Sequence, residues 1–339
     1  MLVAVRKSDG TRIEGNVAER GIEYLCPEFS CGHKVILKKP LLKIDHFAHE
    51  PGAACRLSTR ETPEHLRAKD FLLKAFRSRG LRAEAEVPFE LLSGEEDRRA
   101  DVVVWHPNKQ KQIAFEVQHT TLGLKDIMRR TESYASGSVP VVWINLLRPK
   151  RVENAFRVQG SNINYVHKYW THAWERWAHD FSDESRGTEI KRGHLWFLDP
   201  PTTLMWRGWF LTHYLYKEGG DFYGASGEIQ SYSGGWYVSE RFHTLILEGP
   251  FVPAELRIRL HQRSARKDGA FLYPGGVAAW LLAPADNSKE GPKRPPLRMH
   301  FQRLSNGSDV PRAQIYRAGG WVAVQSDQSI GASVLWHNK

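Results

Sequence analysis

The chain has 339 residues, enough for two or three units with cores of their own. No apolar run approaches the roughly 20 residues of a membrane span, and Met1-Leu2-Val3-Ala4-Val5 leads into charge rather than a signal-peptide core, so a membrane protein is excluded and a cytoplasmic one expected. The formal charge of +10 suits a polyanionic partner, while three cysteines confined to positions 26–55 exclude a disulfide framework.

Residues 1–58 read as a β-hairpin followed by a zinc-binding module. Cys26 and Cys31, the strand Lys34-Val35-Ile36-Leu37, His46-Phe47-Ala48-His49 and then Cys55 supply the four sulfur and nitrogen ligands of a closed tetrahedral site. Cys26, Cys31 and Cys55 are the sulfur candidates and His49 is preferred over His46. With no open position, such a Zn2+ is structural, holding a segment too short for a core of its own.

Residues 59–150 read as helix, three strands, helix, strand: an α/β (α+β mixed-sheet) core with a helix on each flank. Thr62-Pro63-Glu64 starts the first helix and Gly80 stops it. Ala68, Phe71, Leu72, Ala75 and Phe76 form its buried face, and Glu64, four residues before Ala68, is placed on that same face. The second helix spans Gly123 to Ser136.

Between the helices lie Arg98-Arg99-Ala100-Asp101-Val102-Val103-Val104 and Ile113-Ala114-Phe115-Glu116-Val117-Gln118, two apolar β-branched strands that each carry one carboxylate. Buried carboxylates are costly unless paired, hydrogen-bonded or bound to metal, and two on adjacent strands both ionise only with a cation between them. A divalent-metal site at Asp101 and Glu116 is expected. The other arrangement is an Asp101 ion pair with Arg98 or Arg99 and a Glu116 that faces water.

Residues 151–189 read as an aromatic helical connector, with Trp170, Trp174 and Trp177 spaced as a core stripe. From 190 to 339 short strands and Gly-Gly turns indicate a β-rich domain, open to substrate recognition, to a protein partner, to a small ligand or to oligomer formation.

Residues 24 to about 147 resemble the CoiA-like competence-protein family, a branch of the PD-(D/E)XK nuclease superfamily. The resemblance lies in Cys-Pro with a second Cys, His46-Phe47-Ala48-His49, Glu61-Thr62-Pro63-Glu64-His65 with Lys69, Arg99-Ala100-Asp101-Val102, and Glu116-Val117-Gln118. It implies an αβββαβ core and a site made of Glu64 (Glu61 is the second choice), Asp101, Glu116 and Gln118. Asp101, Glu116 and the Val117 carbonyl would hold Mg2+ or Mn2+, Glu64 would orient the attacking water, and Lys69, Arg129 and Arg130 would contact DNA phosphates. Gln118 stands where many superfamily members carry Lys. The expected function is metal-dependent DNA hydrolysis in DNA uptake or mobile-element defence; the other reading is a DNA-binding accessory protein that keeps the fold without cutting.

Overall fold

The structure is a computed structural model and describes residues 1–28, 31–41, 43–53, 55, 61–89, 98–108, 111–153, 155–158, 161–183, 193–268, 270–287, 291–292, 294–317 and 319–324. It is a mixed α/β fold, mostly strands. The boundaries expected at 58/59 and 189/190 lie outside the described residues.

Five short strands come first: β1 (Val3–Arg6), β2 (Arg12–Glu14), β3 (Tyr24–Leu25), β4 (Lys34–Lys38) and β5 (His46–His49). They form one antiparallel sheet in the order β2-β1-β3-β4-β5. Its core is small, built on Tyr24, Val35 and Phe47 with Met1, Ala4, Ala18 and Cys26.

Helix α1 (Pro63–Ser78) begins and ends on local signals. The Thr62 hydroxyl accepts the His65 N–H at 3.3 Å, Pro63 takes the first helical position, and Gly80, at φ +73°, turns the chain out of the helix. Next come β6 (Ala83–Phe89), β7 (Arg98–Trp105), β8 (Gln112–Gln118), α2 (Leu124–Ser136) and β9 (Val141–Leu146). Strands β6, β7 and β8 pair antiparallel and β9 joins β8 in parallel, a step that needs a crossover, here α2. Leu66, Leu72 and Phe76 of α1 share a core with Val102, Val104, Ile113, Phe115 and Val117.

The remaining elements are β10 (Ala155–Arg157), β11 (Ile163–Trp170), α3 (Ala173–Phe181), β12 (Leu195–Asp199), β13 (Leu204–Lys217), β14 (Gly220–Tyr223), β15 (Ile229–Tyr232) and β16 (Gly235–Phe251). After them follow β17 (Arg257–Arg263), β18 (Arg266–Asp268), β19 (Phe271–Tyr273), β20 (Gly276–Leu282), β21 (Leu297–Arg303), β22 (Asp309–Arg317) and β23 (Gly320–Ala323). No helix among the described residues is long and apolar enough to cross a membrane.

The chain divides into two compact units. The first takes Met1–Leu147, Trp196–Trp206 and Pro250–Pro292. In it β12 pairs in parallel with β9, and Leu256, Leu281 and Ala283 complete the core beneath α1. The second takes the described residues between 148 and 195, between 207 and 249, and from 294 onward. Its core includes Ile163, Tyr165, Trp209, Leu211 and Ile246.

The segment read as a helical connector is two strands followed by a helix. β11 pairs with β16 about eighty residues later, and this distant partner overrides the aromatic helical spacing. Trp174 and Trp177 are buried on α3, but Trp170 ends a strand and is 55% exposed. Glu175, fully buried, receives two bonds from Arg151 and one from the Tyr169 hydroxyl, so the start of α3 is fixed by charge as well as by tryptophan packing.

Candidate metal centres

Register places three carboxylates at one level of the first unit's sheet. Ala85 faces Val102, Val87 faces Ala100 and Val102 faces Phe115, so Glu86, Asp101 and Glu116 stand in a row across β6, β7 and β8. The β7–β8 ladder stops at Val102 and Phe115, and beyond it Asp101 Oδ2 accepts the Val117 N–H at 2.9 Å.

The start of α1 closes on this row. His65 lies between two acids, with Nδ1 2.8 Å from Glu61 Oε1 and Nε2 3.2 Å from Asp101 Oδ2. One donor atom each from Glu61, His65 and Asp101 falls within 4.8 Å of the others, a set that could hold a metal ion. Lys69, only 1% exposed, pairs with Glu61, lies 2.6 Å from Glu86 Oε1 and 3.9 Å from Asp101 Oδ1. Glu86 also accepts the backbone N–H groups of Leu2 and Val3, at 2.9 and 3.2 Å. It does so from a left-handed backbone conformation, φ +55°, which is strained for a residue with a side chain.

These contacts decide the protonation states. Burial opposes ionisation of Asp101, but His65 and Lys69 hold its pKa well below the usual carboxylate range. Glu61 is lowered in the same way, against burial, by Lys69 and His65. For His65 burial is outweighed by Asp101 and Glu61, and its pKa rises to about 9. Glu116 goes the other way: burial and the Asp101 charge push its pKa up against the pull of Arg130.

Lys69 is thus the counter-ion of a buried acid cluster. Lys69→Met is expected to cost about 3–5 kcal/mol, because it leaves buried carboxylates uncompensated. Lys74→Met, which removes an exposed pair with Asp70, should cost less than about 1 kcal/mol. Thermal melts of the two variants check this.

Several sequence expectations need correction. Glu64 is exposed and outside the cluster. The buried face of α1 is centred on His65, Lys69, Leu72 and Phe76, and one residue is about 100° of helix rotation. Glu61, just before the helix, takes the position expected of Glu64. Lys69 is buried among acids, so it cannot present its charge to a phosphate in solvent. Arg130 donates to Glu116, while Arg129 is exposed. Glu116, 1% exposed, has its second oxygen taken by the Tyr134 hydroxyl, so it stands beside the donor cluster rather than in it. The Gln118 amide donates to the Thr120 carbonyl at 2.8 Å and to its hydroxyl at 3.2 Å, an arrangement that fixes the turn after β8. Glu86 carries no signal of its own in the sequence, because Ala83-Glu84-Ala85-Glu86 reads as plain alternation.

A second cluster lies in the N-terminal sheet. One donor atom each from Cys26, Cys31, His49 and Cys55 lies within 4.8 Å of the others. Cys26 Sγ is 4.0 Å from Cys55 Sγ, and Cys31 Sγ is 3.4 Å from His49 Nε2. A zinc tetrahedron with bonds of about 2.3 Å to sulfur has edges of about 3.8 Å, so these residues fit the ion. His46 is directed elsewhere, with Nδ1 2.8 Å from the Ile44 carbonyl. His33, with Nδ1 3.1 Å from Cys31 Sγ, is a neighbour the spacing did not reveal.

Comparison with known families bears on both clusters. A family model described as "Competence protein CoiA, nuclease-like domain" matches residues 61–185, and one described as "Competence protein CoiA, N-terminal domain" matches residues 11–58. No curated protein and no solved structure matches the chain. The first match opens at Glu61 and spans the whole acid cluster; the second spans Cys26 to Cys55, and the two together cover just over half of the sequence. The chain therefore belongs to the CoiA competence-protein family.

Proposed function

We propose that this chain is a cytoplasmic, divalent-metal-dependent nuclease that hydrolyses DNA phosphodiester bonds, in DNA uptake or mobile-element defence. The observation that carries the reading is the convergence of Glu61, His65 and Asp101 where the start of α1 meets β7, inside the segment that matches a nuclease-like domain. The order α1-β6-β7-β8-α2-β9 is the αβββαβ order of a PD-(D/E)XK core and supports placing the chain in that superfamily.

Two carboxylates and an imidazole suit Mn2+ as well as Mg2+, and the nitrogen donor favours Mn2+ once the ion displaces the proton that Asp101 and Glu61 favour on His65. A cation held there would supply Lewis acidity toward a phosphodiester oxygen and lower the pKa of a nearby water. The chain's own groups set the stage. The Val117 N–H orients Asp101, Arg130 and Tyr134 hold Glu116 beside it, and exposed Arg129, 3.9 Å from Asp126, would meet backbone phosphate. Cys26, Cys31, His49 and Cys55 would carry a structural Zn2+.

A second reading is a DNA-binding accessory protein without cutting activity. It draws on the capture of both Glu116 oxygens and on the use of Gln118 by Thr120. Incubation with single- and double-stranded DNA in Mn2+, Mg2+ or EDTA separates the two. Cutting in Mn2+ that disappears with EDTA and in Asp101→Ala is the expected result; DNA binding without cutting in either metal favours the accessory role.

A further inference from the structure

In the second unit β21, β22 and β23 form an antiparallel sheet with one face packed and, among the described residues, the other exposed. Leu297, Ala313 and Ile315 are buried against Tyr165, Trp209 and Ile246. Alternation sends the intervening residues outward. An outward face of this kind is ordinarily polar. Here it carries two large rings: Tyr316 on β22 faces Trp321 on β23, with centroids 5.5 Å apart at 68° and exposures of 46% and 39%.

Cations surround the rings. The Arg298 guanidinium lies 4.2 Å from the Trp321 ring centre, and its Nε donates to Gln314 Oε1 at 3.0 Å. Arg312 pairs across the sheet with His300, and both are exposed. From 297 to 324 the sequence contains Arg298, Arg303, Arg312 and Arg317 but one acid, Asp309, at the start of β22. No carboxylate alternates outward with the rings among the described residues of this sheet.

We propose that this face binds single-stranded nucleic acid, with unpaired bases stacking on Tyr316 and Trp321 and with Arg298 and Arg312 meeting the phosphates. A duplex keeps its base faces covered, so exposed rings select an unpaired strand, and the arginines on this face select a polyanion. The inference rests on the nuclease reading only in taking the bound strand to be the substrate.

The test is fluorescence anisotropy with the full chain in EDTA, using a labelled oligothymidylate and an abasic oligomer of equal length. The oligothymidylate should bind more tightly, and Trp321→Ala and Tyr316→Ala should each weaken it about tenfold or more, with Trp321→Phe retaining most of the affinity. Arg312→Glu, which touches neither ring, should weaken both oligomers. Equal binding of the two oligomers, or ring variants that bind as the parent does, overturns the proposal, as does displacement by polyglutamate as readily as by DNA. Asp101→Ala separates this claim from the nuclease one. Loss of cutting with binding kept supports both, binding with no cutting in the parent removes only the nuclease reading, and cutting with ring-independent binding removes only this one.

Discussion

Glu61→Gln is expected to lower metal-dependent DNA cutting by at least about a hundredfold, while Glu64→Gln leaves it within about twofold. The two residues are three positions apart in the same short motif, and sequence spacing alone favours Glu64. The structure separates them by exposure. Glu61 lies 2.8 Å from His65 and pairs with Lys69, whereas Glu64 faces solvent. Glutamine keeps the size of the side chain and can still accept from His65, so the fold should survive, but it removes one of two charges that would hold the cation. Initial rates in Mn2+ with a melt of each variant make the comparison. Equal loss in both variants, or loss only in Glu64→Gln, would return the site to the arrangement expected from spacing. Arg130→Ala provides a further contrast. Freed from Arg130, Glu116 would keep the Tyr134 hydroxyl, and recovery or gain of activity would mean that the ion pair restrains the site.

What could be read in advance followed the range of each signal. The limits of α1 depend on Thr62, Pro63 and Gly80, all local, and the helix runs where they place it. Asp101 and Glu116 stood out because a carboxylate within an apolar β-branched run contradicts its neighbours. Glu86 did not, since alternation made it equivalent to Glu84. It differs only because Lys69 and the backbone of β1 reach it from seventeen and more than eighty residues away. Charge capture escaped for the same reason. That Arg130 and Tyr134 would close on Glu116, and that Lys69 would be sealed among acids, depends on how helices land on a sheet. The strands β10 and β11 were hidden because their partner β16 is distant in sequence.

Purified without chelator, the protein should carry one zinc per chain, and Cys26→Ser should lose it and unfold the N-terminal sheet. The hydrophobic core of that sheet is too small to offset the ordering of nearly sixty residues, and a structural zinc contributes on the order of 10 kcal/mol. Burial raises the Cys26 pKa, so without an ion this sulfur stays a thiol, and zinc must displace its proton. The expected signs are zinc far below one per chain and rapid proteolysis within residues 1–55. The acid cluster should feel the change without being dismantled. Leu2 and Val3 donate to Glu86, Arg12 donates to the Ala85 and Glu86 carbonyls, and the N-terminal ammonium lies 3.0 Å from Glu61, so a loosened sheet frees one side of Glu86 and removes one partner of Glu61. Lys69 still holds Glu86 from α1, and none of Glu61, His65 and Asp101 is a ligand of the sulfur cluster. Cutting by Cys26→Ser should therefore fall by less than about tenfold, well short of the loss in Glu61→Gln. Full activity lost together with zinc would mean that the two clusters work as one centre, and a zinc-free protein with an unchanged melt would remove the structural role of the metal.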